Sequence, residues 1–460
     1  MKQANNNARL ISGPVGPALL RMTLSMLIGF IAGAAFNITD TYFVSRLGTE
    51  QLAAMGYTFP IVGIVHSLLM GIGMGVVSVI SRTIGEGDQD KVRRLTMHSL
   101  MLGLVLTFLL IGVGYIFLKQ IIGMLGAEPG VLPLSLSYMR IWLAGMLFLV
   151  IPVLGNNAIR ATGDTLTPSI IMTADLGLNI VLDPIFIFGF GPVPAMGIRG
   201  AAIATVLSRS LALFASLYIL HRCKRMLSFT HLQLRRIFDS WKRIGYIGLP
   251  ASATNMLMPV ALGIITHIIS GYGTAGVAAM TAGMRIEHAL VIPIIALGAS
   301  MIPFIGQNLG AGQYDRIKKV LRIGYLWCLI WGTFCVLFLT LGKEMLAPLF
   351  TNDALVIPLL YQYLLLISPA IGFRGISMVS MQSFNALHRP LDSSANMILR
   401  LFALQWPLAV LGGHWLGYTG VLVGILAADV ISGALSSSWV VLLVRRLARR
   451  HAAATALPVE

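Results

Sequence analysis

The stretch Leu178, Asn179, Ile180, Val181, Leu182, Asp183, Pro184 sets a carboxylate and an amide one helical turn apart inside an otherwise apolar segment. A second acid, Asp40, closes another apolar segment that begins at Met22 and runs to Val44. Segments of this kind cross a bilayer as helices, which takes about 20 apolar residues. An ionised aspartate in mid-span costs roughly 2.5 to 3.5 kcal/mol on translocon scales, so two of them call for a cavity and something to bind.

Composition agrees with that reading. The 460 residues are 57% hydrophobic and only 11% charged, with a mean hydropathy of +0.83, far more apolar surface than one soluble core could hide. The apolar residues fall into twelve blocks, near 17–44, 54–80, 95–118, 131–155, 167–190, 198–221, 244–270, 278–306, 319–341, 354–379, 390–412 and 418–444. The expected fold is an all-α integral membrane protein. Cys223, Cys328 and Cys335 have neither metal-ligand nor disulfide spacing and read as packing residues. The polar start up to Ser12 leads into a run too long for a signal-peptide core, so no removable targeting segment is expected.

A net charge of +16 would suggest nucleic acid in a soluble protein, but its placement points elsewhere. Lys91, Arg93 and Arg94; Arg222, Lys224, Arg225, Arg235, Arg236, Lys242 and Arg243; Arg316, Lys318, Lys319 and Arg322; and Arg445, Arg446, Arg449 and Arg450 all fall on one side of an alternating topology. The other side carries only scattered bases such as Arg46, Lys119, Arg199 and Lys343. The positive-inside rule then makes both termini cytoplasmic, in the inner membrane of a prokaryote. No aromatic-interleaved basic surface accompanies these loops, and no nucleic-acid partner is expected.

The chain is also duplicated. Gly48 to Met55 matches Gly273 to Met280, and the same 225-residue offset carries Gly85, Gly87, Asp90 and Lys91 onto Gly310, Gly312, Asp315 and Arg316, and Tyr138 onto Tyr363. Six spans per unit is an even number, so the two six-helix lobes are expected to be related by a pseudo-twofold along the membrane normal. The expected division is an N-lobe at 1–221, a cytoplasmic linker at 222–243, a C-lobe at 244–446 and a cytoplasmic tail at 447–460.

Topology allows depths to be compared. Asp40 near the outer end of span one, Tyr138 early in span four, Asn179 and Asp183 in the outer half of span five and Thr205 early in span six all sit toward the outside of one lobe. Asp175, Asn179 and Asp183 recur every fourth residue, along one helical face. An amide carbonyl and a carboxylate on adjacent turns can aim oxygen at one small hard ion, sodium at Asp40, Asn179, Asp183 and Thr205 or a proton-bearing water. Pro184 removes a backbone donor beside the pair and is expected to bend the helix. The competing reading is that these groups hydrogen-bond one another and glue helices together. It weakens for Asp40 and Asp183, since no buried Lys or Arg is expected in that lobe to neutralise them. In the C-lobe, Glu287, Arg400 and Asp429 form a second constellation in which Arg400 can neutralise either acid, read first as a structural salt bridge and second as a further substrate or proton site together with Asp175. The 23 methionines read mostly as packing.

Twelve spans in two lobes, Asp40 within Asn37, Ile38, Thr39, Asp40, then Gly48 with Leu52, Ala53 and Ala54, the Gly85 to Gly87 pair, and Asn179 to Pro184 together resemble the multidrug and toxic compound extrusion (MATE) transporters. The resemblance covers nearly the whole chain except its tails. It implies a secondary antiporter, working as a monomer, that exports amphipathic, often cationic, organic compounds as inward protons or sodium flow. It also implies that Asp40, Tyr138, Asn179, Asp183 and Thr205 make the cation-coupling site. Some relatives use an acid on span seven, and this chain has none between Trp241 and Gly271, which favours coupling through the N-lobe.

The alternative within the superfamily is a flippase or exporter of a lipid-linked or other endogenous metabolite. The acidic N-lobe argues against a pyrophosphate-binding flippase. A channel would need a filter sequence, which is missing. No nucleophile, base and orienter set suggests an enzyme, and no cofactor is expected. Gly85, Glu86, Gly87, Asp88 lacks the Lys and Ser or Thr of a phosphate-cradling loop.

Overall fold

The computed structural model describes residues 10–228 and 233–456. Its long elements are α1 (Val15–Ser45), α2 (Thr49–Glu86), α3 (Gln89–Met124), α4 (Leu132–Ala144), α5 (Met146–Ala161), α6 (Leu166–Phe188), α7 (Ile198–Tyr218), α8 (Leu234–Ser270), α9 (Thr274–Gly310), α10 (Tyr314–Leu346), α11 (Val356–Ala386), α12 (Pro390–Ile398) and α13 (Trp406–Ala456). Ten helical stretches are long and apolar enough to cross a membrane, and α4 with α5 makes one more span, bent by 48°. Gly145 stands at that bend, where a Cβ would overlap the Val206 side chain of α7.

The twelfth span lies inside the longest apolar stretch. From Pro390 to Ala453 the chain is nearly continuous helix, with a π-helical segment at Leu399–Gln405, but Gly417 (φ 59°, ψ −140°) breaks it. A Cβ on Gly420 would overlap the carbonyl of Gly412, and one on Gly424 the carbonyl of Leu408. Residues symmetric about Leu416 therefore touch, and the chain reverses at Leu416 and Gly417 into two antiparallel spans held backbone to backbone by small residues. Among the described residues the all-helical membrane fold has twelve transmembrane helices in two six-helix halves.

Duplication is written into the backbone as well as the sequence. Positive φ occurs at Gly48 and Gly273, at Gly87 and Gly312, and at Gly163 and His388, three pairs at the same 225-residue offset. Gly197 (φ 57°, ψ −135°) matches Gly417 in both dihedrals after a short gap. Each opens a Gly-x-x-Gly start to the last span of its half, where Gly200 abuts the Phe186 carbonyl of α6 as Gly420 abuts Gly412.

Contacts group the chain into two compact units. One holds Leu24–Ser252, the other Leu10–Thr23 and Ala253–Glu460, so the first turns of α1 belong with the second half and the first half of α8 with the first. In unit 1 Trp241 Nε1 donates to the His98 carbonyl (2.8 Å), His98 Nδ1 meets Ser240 Oγ (2.8 Å), and Ser252 Oγ donates to the Leu68 carbonyl (3.0 Å). In unit 2 the Arg316 guanidinium donates to the carbonyls of Leu10 (2.9 Å), Ser12 (3.1 Å) and Gly13 (2.8 Å), while Gln307 and Asn308 bond the Leu10 backbone. The second unit is built around α11, whose Ile371 and Val379 are fully buried, with Gly372 against Gly332 of α10. Large apolar side chains such as Phe108, Ile116, Phe214 and Leu341 stand mostly exposed, the pattern of a lipid-facing surface.

Candidate functional site

Unit 1 gathers the polar residues singled out from the sequence. α6 starts from a loop in which Asp164 accepts from the Thr167 backbone N–H (3.1 Å) and hydroxyl (2.9 Å) and from Lys224 Nζ (2.6 Å). The helix then runs unbroken through Pro184 to Phe188. Its four-residue spacing puts Asp175, Asn179 and Asp183 on one face; the last two are completely buried and Asp175 is half-buried. Asn179 Nδ2 donates to Asp183 Oδ1 (3.0 Å). Asp40 of α1, Tyr138 of α4 and Thr205 of α7 are also buried. Asp40 and Asp183 lie within electrostatic reach of the Tyr138 hydroxyl and of each other.

These residues carry unmet oxygen. Asp40 Oδ1, Asn179 Oδ1, Asp183 Oδ2 and Thr205 Oγ1 are all shut off from solvent with no hydrogen-bond partner. Leaving a buried polar atom unsatisfied costs about 1 to 3 kcal/mol, more if it is charged, so four on three helices are expensive unless something occupies them. Among the described residues no three or more His, Cys, Asp and Glu side chains are arranged to hold a metal ion. A small hard ion here would be met by mixed carboxylate, amide and hydroxyl oxygens.

The expectation of no buried cation in this lobe is corrected. Arg209 of α7 lies one turn beyond Thr205, half-buried, with its guanidinium carbon 5.3 Å from the Phe36 ring centroid and its Nε without a hydrogen-bond partner. Asp40, Asp175, Tyr138 and His66 all feel its charge. Arg160 of α5 is a second half-buried cation, 5.9 Å from the Phe30 ring centroid. Neither forms an ion pair within 4.0 Å among the described residues. The signal was present in the sequence: Thr205 and Arg209 are four residues apart and so share a helical face.

Unit 2 answers its two buried acids, Glu287 and Asp429, completely. Arg374 of α11 donates through Nε (2.9 Å) and Nη2 (2.7 Å) to Asp429 Oδ2 and through Nη1 to Glu287 Oε1. Arg400, in the π-helical segment, donates to Asp429 Oδ1 (2.8 Å), and the Tyr363 hydroxyl donates to Glu287 Oε2 (2.7 Å). All four carboxylate oxygens are partnered, by two guanidiniums and a phenol. Arg400 thus takes Asp429 and not Glu287, and Arg374 is the partner that the sequence reading missed, since a lone arginine within an apolar block carries no spacing signal of its own.

A family model described as MatE matches residues 26–185 and 250–411. The chain belongs to the MatE family. Among curated relatives of this MatE chain, a FAD transporter of Shewanella oneidensis is 38% identical over 424 residues, 92% of this chain and 94% of that protein. The multidrug export protein MepA of Staphylococcus aureus is 26% identical over 435 residues, 94% of each. Of solved structures, the Vibrio cholerae MATE transporter VcmN in its bent form matches with a TM-score of 0.89 at 30% identity, over 95% of this chain and 97% of that one. A MOP superfamily transporter of Pyrococcus furiosus, described by a binding pocket of reverse polarity, matches with a TM-score of 0.86 at 26% identity, over 96% and 99%. The MatE chain is a multi-pass membrane transporter, and its two halves differ in the way that matters chemically: one leaves acid oxygens open, the other closes them.

Proposed function

We propose that the protein is a secondary active antiporter of the cytoplasmic membrane, its termini facing the cytoplasm, working as a monomer that exports organic compounds as protons or sodium ions flow inward. Asp40, Asp183, Asn179, Thr205 and Tyr138 take up the coupling ion. The observation that carries this reading is that Asp40, Asn179, Asp183 and Thr205 each keep a buried oxygen without a partner in unit 1, beside the fully paired Glu287 and Asp429 of unit 2. An arriving cation satisfies those oxygens and offsets the carboxylate charge. Each inward charge supplies about 2.3 kcal/mol per 100 mV. The reading assigns no catalytic residues and no cofactor.

Two substrate classes have support. Amphipathic, often cationic, compounds fit the likeness to multidrug exporters. An endogenous metabolite exporter, the second reading, is favoured by the greater identity to a protein named as a FAD transporter. Purified protein in proteoliposomes, with proton and sodium gradients imposed separately and ethidium or FAD supplied, tests both. Transport that collapses with the ion gradient and needs no ATP is expected. Transport that follows ATP and ignores the gradient ends the antiport reading.

A further inference from the structure

Asp40, Asp175 and Asp183 share the interior of unit 1 with Arg209, whose charge reaches Asp40 and Asp175. Arg209 projects from α7 onto the Phe36 ring of α1, and Phe36 stands one turn before Asp40. Ser208, the neighbour of Arg209, donates its hydroxyl to the Thr205 carbonyl (3.1 Å) and lies near Asp175 of α6. Asp40 Oδ1, Asp175 Oδ1 and Arg209 Nε are all buried atoms with no partner, and no ion pair joins them. A guanidinium normally claims a carboxylate within reach by two parallel hydrogen bonds. Here it is held off both by an aromatic face, a placement that stabilises it by about 0.5 to 2 kcal/mol. His66 of α2 and Tyr138 of α4 complete the groups that face it.

We propose that Arg209 is a tethered counter-cation that competes with the coupling ion for Asp40 and takes Asp175 as its alternative partner. Its resting place over Phe36 is the midpoint of that exchange. When the ion binds at Asp40, Asn179, Asp183 and Thr205, the guanidinium is repelled toward Asp175. When the ion leaves, it returns to Asp40 and blocks rebinding. The exchange gives the site a release mechanism, which a cluster of acids alone lacks: a deep carboxylate well would bind the ion and keep it. Arg209 is a positioning residue in this scheme. The inference rests on the antiport reading above.

The test titrates transport by the purified full-length protein against the ion that drives the wild type, sodium at fixed pH or protons without sodium, using ethidium or FAD, whichever the wild type moves. A unit charge a few ångströms from Asp40 changes its affinity for a cation by about tenfold or more at an effective protein dielectric constant near 20. Arg209→Gln is expected to lower the half-saturating ion concentration by about that factor and slow turnover at saturation, and Arg209→Lys to restore both to within about threefold. Asp175→Asn, which confines Arg209 to Asp40, is expected to raise the half-saturating concentration. In the double variant Asp175→Asn should lose most of its effect, since the partner it displaces is gone. Purely additive effects would mean a static field and overturn the exchange, as would an unchanged half-saturating concentration in Asp175→Asn. That variant decides the matter if Arg209→Gln does not fold. If Asp40→Asn and Asp183→Asn still concentrate substrate, the antiport site itself is misassigned and this inference falls with it. If they fail while the Arg209 and Asp175 variants leave the ion dependence unmoved, the counter-cation alone is refuted.

Discussion

Asp429→Asn and Asp40→Asn remove one carboxylate each from opposite kinds of surroundings, and stability should separate them. Asp429 accepts three charge-assisted hydrogen bonds, at 2.9, 2.7 and 2.8 Å, from Arg374 and Arg400. Taking away one partner of a buried ion network strands the others and costs roughly 3 to 5 kcal/mol. For a unit of about 200 residues that lowers the melting midpoint by roughly 6 to 20 °C. Asp40 loses no such bond, because its Oδ1 has none, and Asn removes a charge that the membrane interior disfavours. The midpoint of Asp40→Asn should therefore stay level or rise. Buried Cys328 and Cys335 provide the assay. With exposed Cys223 replaced by Ser, a thiol-reactive dye reports the unfolding of the detergent-solubilised protein. Equal losses in the two variants would mean that Asp40 is as firmly bonded as Asp429, and the contrast between open and closed acids would fail.

Asp40→Asn and Asp183→Asn should each abolish concentrative efflux in proteoliposomes while the protein still inserts, whereas Asp429→Asn should retain more transport than either; normal pumping by both first-half variants would move the ion site to Glu287 and Asp429. A reporter fused after Ala452 should behave as cytoplasmic and one inserted near Gly126 as external; finding both on one side would refute the twelve-span count. Burial raises the titration of the Asp164 carboxyl, but the hydrogen bonds and charge of Lys224 and the bonds from Thr167 outweigh it and hold Asp164 below its ordinary range. A lowered folded-state value stabilises above the unfolded value, about 3.9, and the gain is lost as pH falls through the folded one. Asp164→Asn should thus melt below the wild type at neutral pH, with a gap that closes as pH drops beneath about 4; a gap independent of pH would exclude the ion pair as its cause.

The spans were legible because lipid imposes a length and an apolarity that local sequence displays directly. The reversal at Gly417 was legible too, though only as a gap between two apolar blocks, and the structure shows why so short a gap suffices: Gly412, Gly420 and Gly424 let the two helices meet without side chains between them. Asp40, Asn179 and Asp183 could be singled out because a carboxylate in an apolar block is rare and costly. Arg374 was not, and for Arg209 the shared face with Thr205 was visible but not the fate of its charge, since the long arginine side chain can snorkel from many positions. Which carboxylate each arginine claims depends on contacts between helices far apart in the chain, and neither spacing nor periodicity encodes that.

The grouping of Leu10–Thr23 with the second half and Leu234–Ser252 with the first sets an order of assembly during synthesis. Domains usually fold as they emerge, the earlier ones first. Here the first six spans lack part of their own packing until the ribosome has passed Ser252, and the chain's opening segment has to wait for Gln307, Asn308 and Arg316 before its backbone carbonyls find their donors. The nascent chain therefore inserts its first helix long before that helix acquires its last neighbours, and a gene cut between the halves would give two products, each missing a piece that the other carries.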